Sequence, residues 1–189
     1  MFIDSHAHLQ WDSFDADREQ VLENAKQANV ECMITIGFDF PSCLKGIKLA
    51  QDWPQIYATI GIHPNSANEF SQTTLNDLRK LASQPKVVAI GEIGLDYFRD
   101  LSSKETQIRV FESQLKLAQD LSLPVVIHDR DAHRDILEVL TRYKGTIKGI
   151  IHCFSADLEF AQRCIDLDFF ISFAGNLTYK KAYPLHIAA

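Results

Sequence analysis

Five side chains of kinds that bind metals stand at the ends of short apolar runs in this sequence. They are His6 and His8 in MFIDSHAHL, Glu92 in AIGEIG, His128 in VVIH and His152 in IIHC. His6 and His8 are two residues apart, so on extended backbone both side chains point to one face. Two imidazoles on one face can chelate a cation, and imidazole suits zinc and other first-row metals. Taken singly, each residue has an ordinary alternative: a polar strand end in water, a hydrogen-bonded histidine in a turn, a carboxylate facing solvent. Recurrence separates the readings. An unpaired polar group at a buried strand end costs free energy, so His and Glu seldom close four separate apolar runs by chance. A shared metal centre accounts for them together. His63, in GIHP, closes a further run.

Those positions need strands to carry them. Seven runs rich in Val, Ile and Phe recur, at 2–5, 33–37, 57–61, 87–92, 125–128, 149–152 and 169–173. They are apolar at nearly every position, which predicts strands of a parallel sheet covered on both faces. Between them, 17–28 sets Val21, Leu22, Ala25 and Ala28 at helical spacing, and 105–121 does the same with Ile108, Phe111, Leu115 and Ala118. Pro85 and Pro124 stand just before strands, where a helix must stop. No linker or shift in composition interrupts the series, so a single domain over 1–189 is expected. Unbroken βα units favour an α/β fold of the TIM-type β/α barrel over a doubly wound sheet. The loop after the first run, HAHLQWDSF, contains no glycine, which argues against dinucleotide binding. In a β/α barrel the catalytic groups gather at the C-terminal ends of the strands, where the histidines and Glu92 stand.

A net charge of −6 weighs against a broad basic surface for gripping nucleic acid, so such a substrate would be held locally, by a metal or a few Lys and Arg side chains. Cys32, Cys43, Cys153 and Cys164 form no CxxC pair and are expected to be reduced thiols packed in the core. Cys153 adjoins His152, but packing is favoured over a nucleophilic role. The chain shows no signal peptide or long apolar stretch at its start, and a cytoplasmic location without membrane contact is expected.

The stretches MFIDSHAHL, GIHP, GEIGLDYFRD, LPVVIHDRDAH and IIHCFSADLEFAQRC, in this order over essentially the whole chain, resemble the TatD-type deoxyribonucleases of the amidohydrolase-like barrels. The resemblance implies a metal-dependent phosphodiester hydrolase that acts on DNA with a metal-activated water as nucleophile. It implies two divalent ions (zinc, magnesium or manganese), the first held by His6, His8 and Glu92 and the second by Glu92, His128 and His152. Glu92 then bridges them, and Glu92, His128 and His152 carry catalysis. His63 and Arg130 fall where the family touches substrate. Each has an ordinary alternative: His63 as the cap of a turn beside Pro64, Arg130 as an ion-pair partner of Asp129 or Asp131.

The family's barrel has eight strands, and seven are found here. Its eighth ends in an aspartate that ligates the first metal, and no residue of this sequence takes that position. The expectations are a weakened first site, reduced turnover, and open edges on the first and seventh strands that invite self-association. Asn65 stands where a histidine is commoner, and Asp168 where a glycine is usual. Two other readings share these residues: a related metallohydrolase of an ester or amide, such as an aminoacyl-tRNA deacylase, and a truncated, weakly active or inactive metal-binding paralogue.

Overall fold

The computed structural model describes residues 1–99 and 101–189. Strands and helices alternate through it: β1 (Phe2–Ala7), α1 (Arg18–Gln27), β2 (Val30–Ile36), α2 (Phe40–Asp52), β3 (Ile56–Ile60), α3 (Gln72–Leu81), β4 (Val87–Asp96), α4 (Lys104–Leu121), β5 (Val125–Arg130), α5 (His133–Thr141), β6 (Gly149–Ile151), α6 (Leu158–Ile165), β7 (Phe169–Ile171) and α7 (Tyr183–Ala188). Every strand pairs in parallel with the next, in the order β1-β2-β3-β4-β5-β6-β7. An uncrossed, sequential parallel order is the topology of a TIM-type β/α barrel, as the alternating runs predict. The helices at 17–28 and 105–121 are α1 and α4, with boundaries within a residue of those expected.

Burial on both faces holds for the middle strands, where Ile36, Ile60, Ile90 and Ile127 are fully enclosed. It does not hold at β1 and β7. Phe2 and Ile3 are 65% and 58% exposed, and Phe170 is 73% exposed. Among the described residues β1 pairs only with β2 and β7 only with β6, so each has a single neighbour to cover it.

The second difference concerns β4, which continues past Glu92 to Asp96. The register against β5 slips between Ile90 and Ile93 and then resumes with Gly94 opposite His128 and Asp96 opposite Arg130. Such a bulge re-aims a side chain while the strand carries on. Glu92 is therefore a residue of the strand interior at the bulge, not the strand's last residue.

Helix α4 holds two of the site-bearing segments through buried glutamines. Gln114 receives the backbone N–H of Ile62 at 2.8 Å and donates to the Ile62 carbonyl at 3.0 Å, which fixes the segment leading into His63. Gln107 does the same for Asp96, at 2.8 and 3.1 Å. These amides replace ladder bonds the strand ends would otherwise lack.

Candidate metal centre

The fold brings His6, His8, His63, His128 and His152 around one carboxylate. Glu92 is 4% exposed, and its two oxygens address different partners. Oε1 lies 2.6 Å from His152 Nε2, 2.8 Å from His128 Nδ1 and 3.6 Å from His63 Nε2. Oε2 lies 3.7 Å from His6 Nε2 and 4.0 Å from His8 Nε2. The rings crowd one another, with His6 stacked on His152 at 3.9 Å and His63 edge-on to His128 at 4.3 Å.

The donor set fits divalent metal on two observations. His6, His8 and Glu92 form one group whose ligand atoms lie within 4.8 Å of one another, and His63, Glu92 and His128 form another. Ligands at about 2.1 Å from a tetrahedral cation stand about 3.4 Å apart, so the 3.7 and 4.0 Å spacings suit a shared ion better than a hydrogen bond. Also, Nδ1 of both His6 and His8 is buried without a hydrogen-bond partner. Nε2 of each is also beyond hydrogen-bond distance of Glu92, and a ligand bond to the ring would offset part of the cost of burying it.

Protonation divides the cluster. Burial, with His152 next in effect, pushes His6 down to about 3, and burial with His128 pushes His63 down to about 4. Burial also lowers His8. All three are neutral and ligand-competent at neutral pH. Burial opposes charge on Glu92, but hydrogen bonds from His128 and His152 outweigh it and hold the carboxyl well below the usual carboxylate range. For His128, burial is outweighed by hydrogen bonds to Asp96 and Glu92, and it is raised to about 9.

These shifts set a pH dependence for chelator-stripped protein. A raised folded value stabilises below the unfolded value of 6.5, and that contribution is lost as pH climbs through about 9. His6 and His63, depressed to about 3 and 4, contribute above 6.5 and lose that contribution as pH falls. Urea midpoints should therefore peak near neutrality and fall on both sides, and added divalent metal should raise the alkaline side most, where the His128 proton is most easily displaced. A flat midpoint from neutrality to pH 9 would contradict the His128 assignment.

Of the two candidate substrate contacts, His63 takes the turn-capping alternative. Its Nδ1 accepts from Asn65 N–H at 3.1 Å and caps a 3-10 turn, while Nε2 faces Glu92. Arg130 makes no ion pair with Asp129 or Asp131 among the described residues; its guanidinium lies 3.9 Å over the Phe98 ring. On β5 it shares a face with His128. Cys43 and Cys164 are buried, as expected of core thiols, but Cys153 is exposed and adopts φ +46° just past β6, where the chain turns out of the sheet. Partial burial, then Glu92, raises its thiol, so it is no activated nucleophile.

The sequence reading missed Asp96. It is 1% exposed at the end of β4, and its Oδ2 lies 3.2 Å from His128 Nε2.

The family model described as TatD-related DNase matches residues 3–189. The chain belongs to the TatD-related DNase family. It is 40% identical over 183 residues to the uncharacterized metal-dependent hydrolase YabD of Bacillus subtilis, which covers 96% of this chain and 72% of YabD. It is 35% identical over 174 residues to the 3'-5' ssDNA/RNA exonuclease TatD of Salmonella typhimurium, covering 92% of this chain and 67% of that one. The crystal structure of YjjV, a TatD homolog from Escherichia coli, superposes with a TM-score of 0.90 at 34% identity, over 96% of this chain and 71% of YjjV. This TatD-family chain is a metal-dependent hydrolase, and its fold is the TIM-type fold of those homologues. Among the described residues no helix is long and apolar enough to cross a membrane.

Proposed function

We propose that the chain hydrolyses phosphodiester bonds of single-stranded nucleic acid with two divalent ions, one held by His6, His8 and Glu92 and one by Glu92, His128 and His152. The observation that carries this reading is the division of Glu92. Its Oε2 faces His6 and His8, and its Oε1 faces His128 and His152. A carboxylate so placed suits a bridging role. The exonuclease activity for which the Salmonella relative is named supports nucleic acid as the substrate.

Bound divalent cations supply Lewis acidity and the positive charge that a chain of net charge −6 lacks. The chain's own groups do the rest. Glu92 stays ionised, since its carboxyl is held well below the usual range, and His6 and His63 stay neutral; His128, raised to about 9, has a proton to give up on binding metal. Neutral His63, whose Nδ1 accepts from Asn65, carries its proton on Nε2 and is placed to donate to a phosphate oxygen. Arg130 offers a planar pair of donors to a phosphate, with one face resting on Phe98.

The test is cleavage of end-labelled single-stranded DNA, RNA and duplex by the folded chain in magnesium, manganese and zinc, with an aminoacyl ester as the rival substrate. Metal-dependent loss of the single strands is expected. Turnover of the ester alone would overturn the nuclease reading and favour the related-hydrolase one. Arg130→Ala should lower kcat/KM on DNA by about 10- to 100-fold, the scale of one charge-assisted hydrogen bond, and leave metal content unchanged. Loss of metal from that variant would remove Arg130 from the substrate side.

A further inference from the structure

A histidine ligand must present a lone pair, and which ring nitrogen carries the proton is set by what the other nitrogen meets. Among the described residues, His128 is the one candidate ligand whose outward nitrogen meets a carboxylate. Its Nδ1 faces Glu92 Oε1 at 2.8 Å and its Nε2 faces Asp96 Oδ2 at 3.2 Å. His6 and His8, by contrast, have no partner at Nδ1.

Asp96 is itself held firmly. Oδ1 accepts the backbone N–H groups of Phe98 at 3.1 Å and Arg99 at 3.0 Å, which leaves Oδ2 for the histidine. Gln107 clamps its backbone on both sides. The carboxylate therefore has little freedom to turn away, and the same side chain ties the turn after β4, with Phe98 beneath Arg130, to a candidate ligand on β5.

We propose that Asp96 is a positioning residue: by accepting from Nε2–H it fixes the orientation and tautomer of His128, so that Nδ1 is left to bind metal beside Glu92. The inference rests on the proposed ligand set. Its consequence is an unusual sensitivity to Asp96→Asn. Asparagine keeps an oxygen for the Phe98 and Arg99 N–H groups, so the turn survives. It then presents its NH2 to Nε2, which must accept, and the proton moves to Nδ1, the atom needed for the metal. A conservative change would thus act against binding, where a purely structural Asp96 would tolerate it.

Two measurements on the full chain test this. Long-range 1H–15N spectra of the zinc-loaded wild type should show His128 bound through Nδ1 with its proton on Nε2, facing Asp96. Competition of zinc against a chromophoric chelator should show an affinity loss of about 10- to 100-fold in Asp96→Asn, with an unchanged far-UV spectrum. Wild-type zinc binding matched by Asp96→Asn would overturn the positioning role and leave the proposed function standing. A folded wild type that binds none of zinc, manganese or magnesium would overturn both. If Asp96→Asn fails to fold, the zinc-loaded wild type still decides, since a His128 that keeps its proton on Nδ1 there contradicts the proposal.

Discussion

Glu92→Ala should leave a folded chain that holds no divalent metal and cleaves single-stranded DNA at least about 10³-fold more slowly, a loss of several kcal/mol of transition-state stabilisation. Both halves of the site converge on this one carboxylate, so neither group of ligand atoms survives without it. Folding is expected to persist for an electrostatic reason. Removing one partner of a buried ion pair is damaging when the other charge is stranded. Here the stranded charge is an imidazolium, and His128 can shed its proton once the hydrogen bond to Glu92 is gone. Glu92→Gln, which keeps the shape and loses the charge, should resemble Glu92→Ala in metal content. Elemental analysis of both purified variants beside the cleavage assay checks this, and retained metal in either would remove Glu92 from the centre.

The sheet was legible in the sequence because parallel strands covered on both faces must be apolar throughout, and the seven runs match β1 to β7. Within them, the end of β4 was misplaced. The apolar run was ended at Glu92, whereas Gly91 and Gly94 let β4 pass close to β5 through a bulge and carry on to Asp96. The ligand types were legible from their recurrence at run ends. Which oxygen of Glu92 meets which histidine, and which ring nitrogen faces inward, depends on the bulge and on rotamers, which one-dimensional spacing does not encode. Asp96, Gln107 and Gln114 were missed for a related reason. They do no chemistry of their own, and their signal was faint: two glutamines seven apart on the stripe that also carries Phe111 and Ala118 of α4. Polar residues on a helix's buried face must be satisfied, and here they are satisfied by the segments that carry the site.

Gly94→Ala is the substitution expected to cost most in stability. Gly94 adopts φ +141°, a conformation L side chains rarely take, and sits opposite His128 in the β4–β5 ladder. A Cβ there would overlap the His128 carbonyl oxygen and come within 3.0 Å of its backbone nitrogen. Backbone atoms cannot rotate aside as a side chain can, so the two strands must part. Glu92 lies two residues before Gly94 and Asp96 two after it, and both contact His128, so the metal centre loosens with the sheet. A loss of about 4 kcal/mol is expected, or roughly 8–16 °C in melting temperature for a chain of this size. Gly145→Ala supplies the contrast. It too has positive φ, at +74°, but nothing stands within 4 Å of its added Cβ. Only the backbone term applies there, about 1–2 kcal/mol. The difference between the two melting temperatures isolates the steric part, and equal shifts would mean that β4 and β5 are not packed backbone to backbone at Gly94.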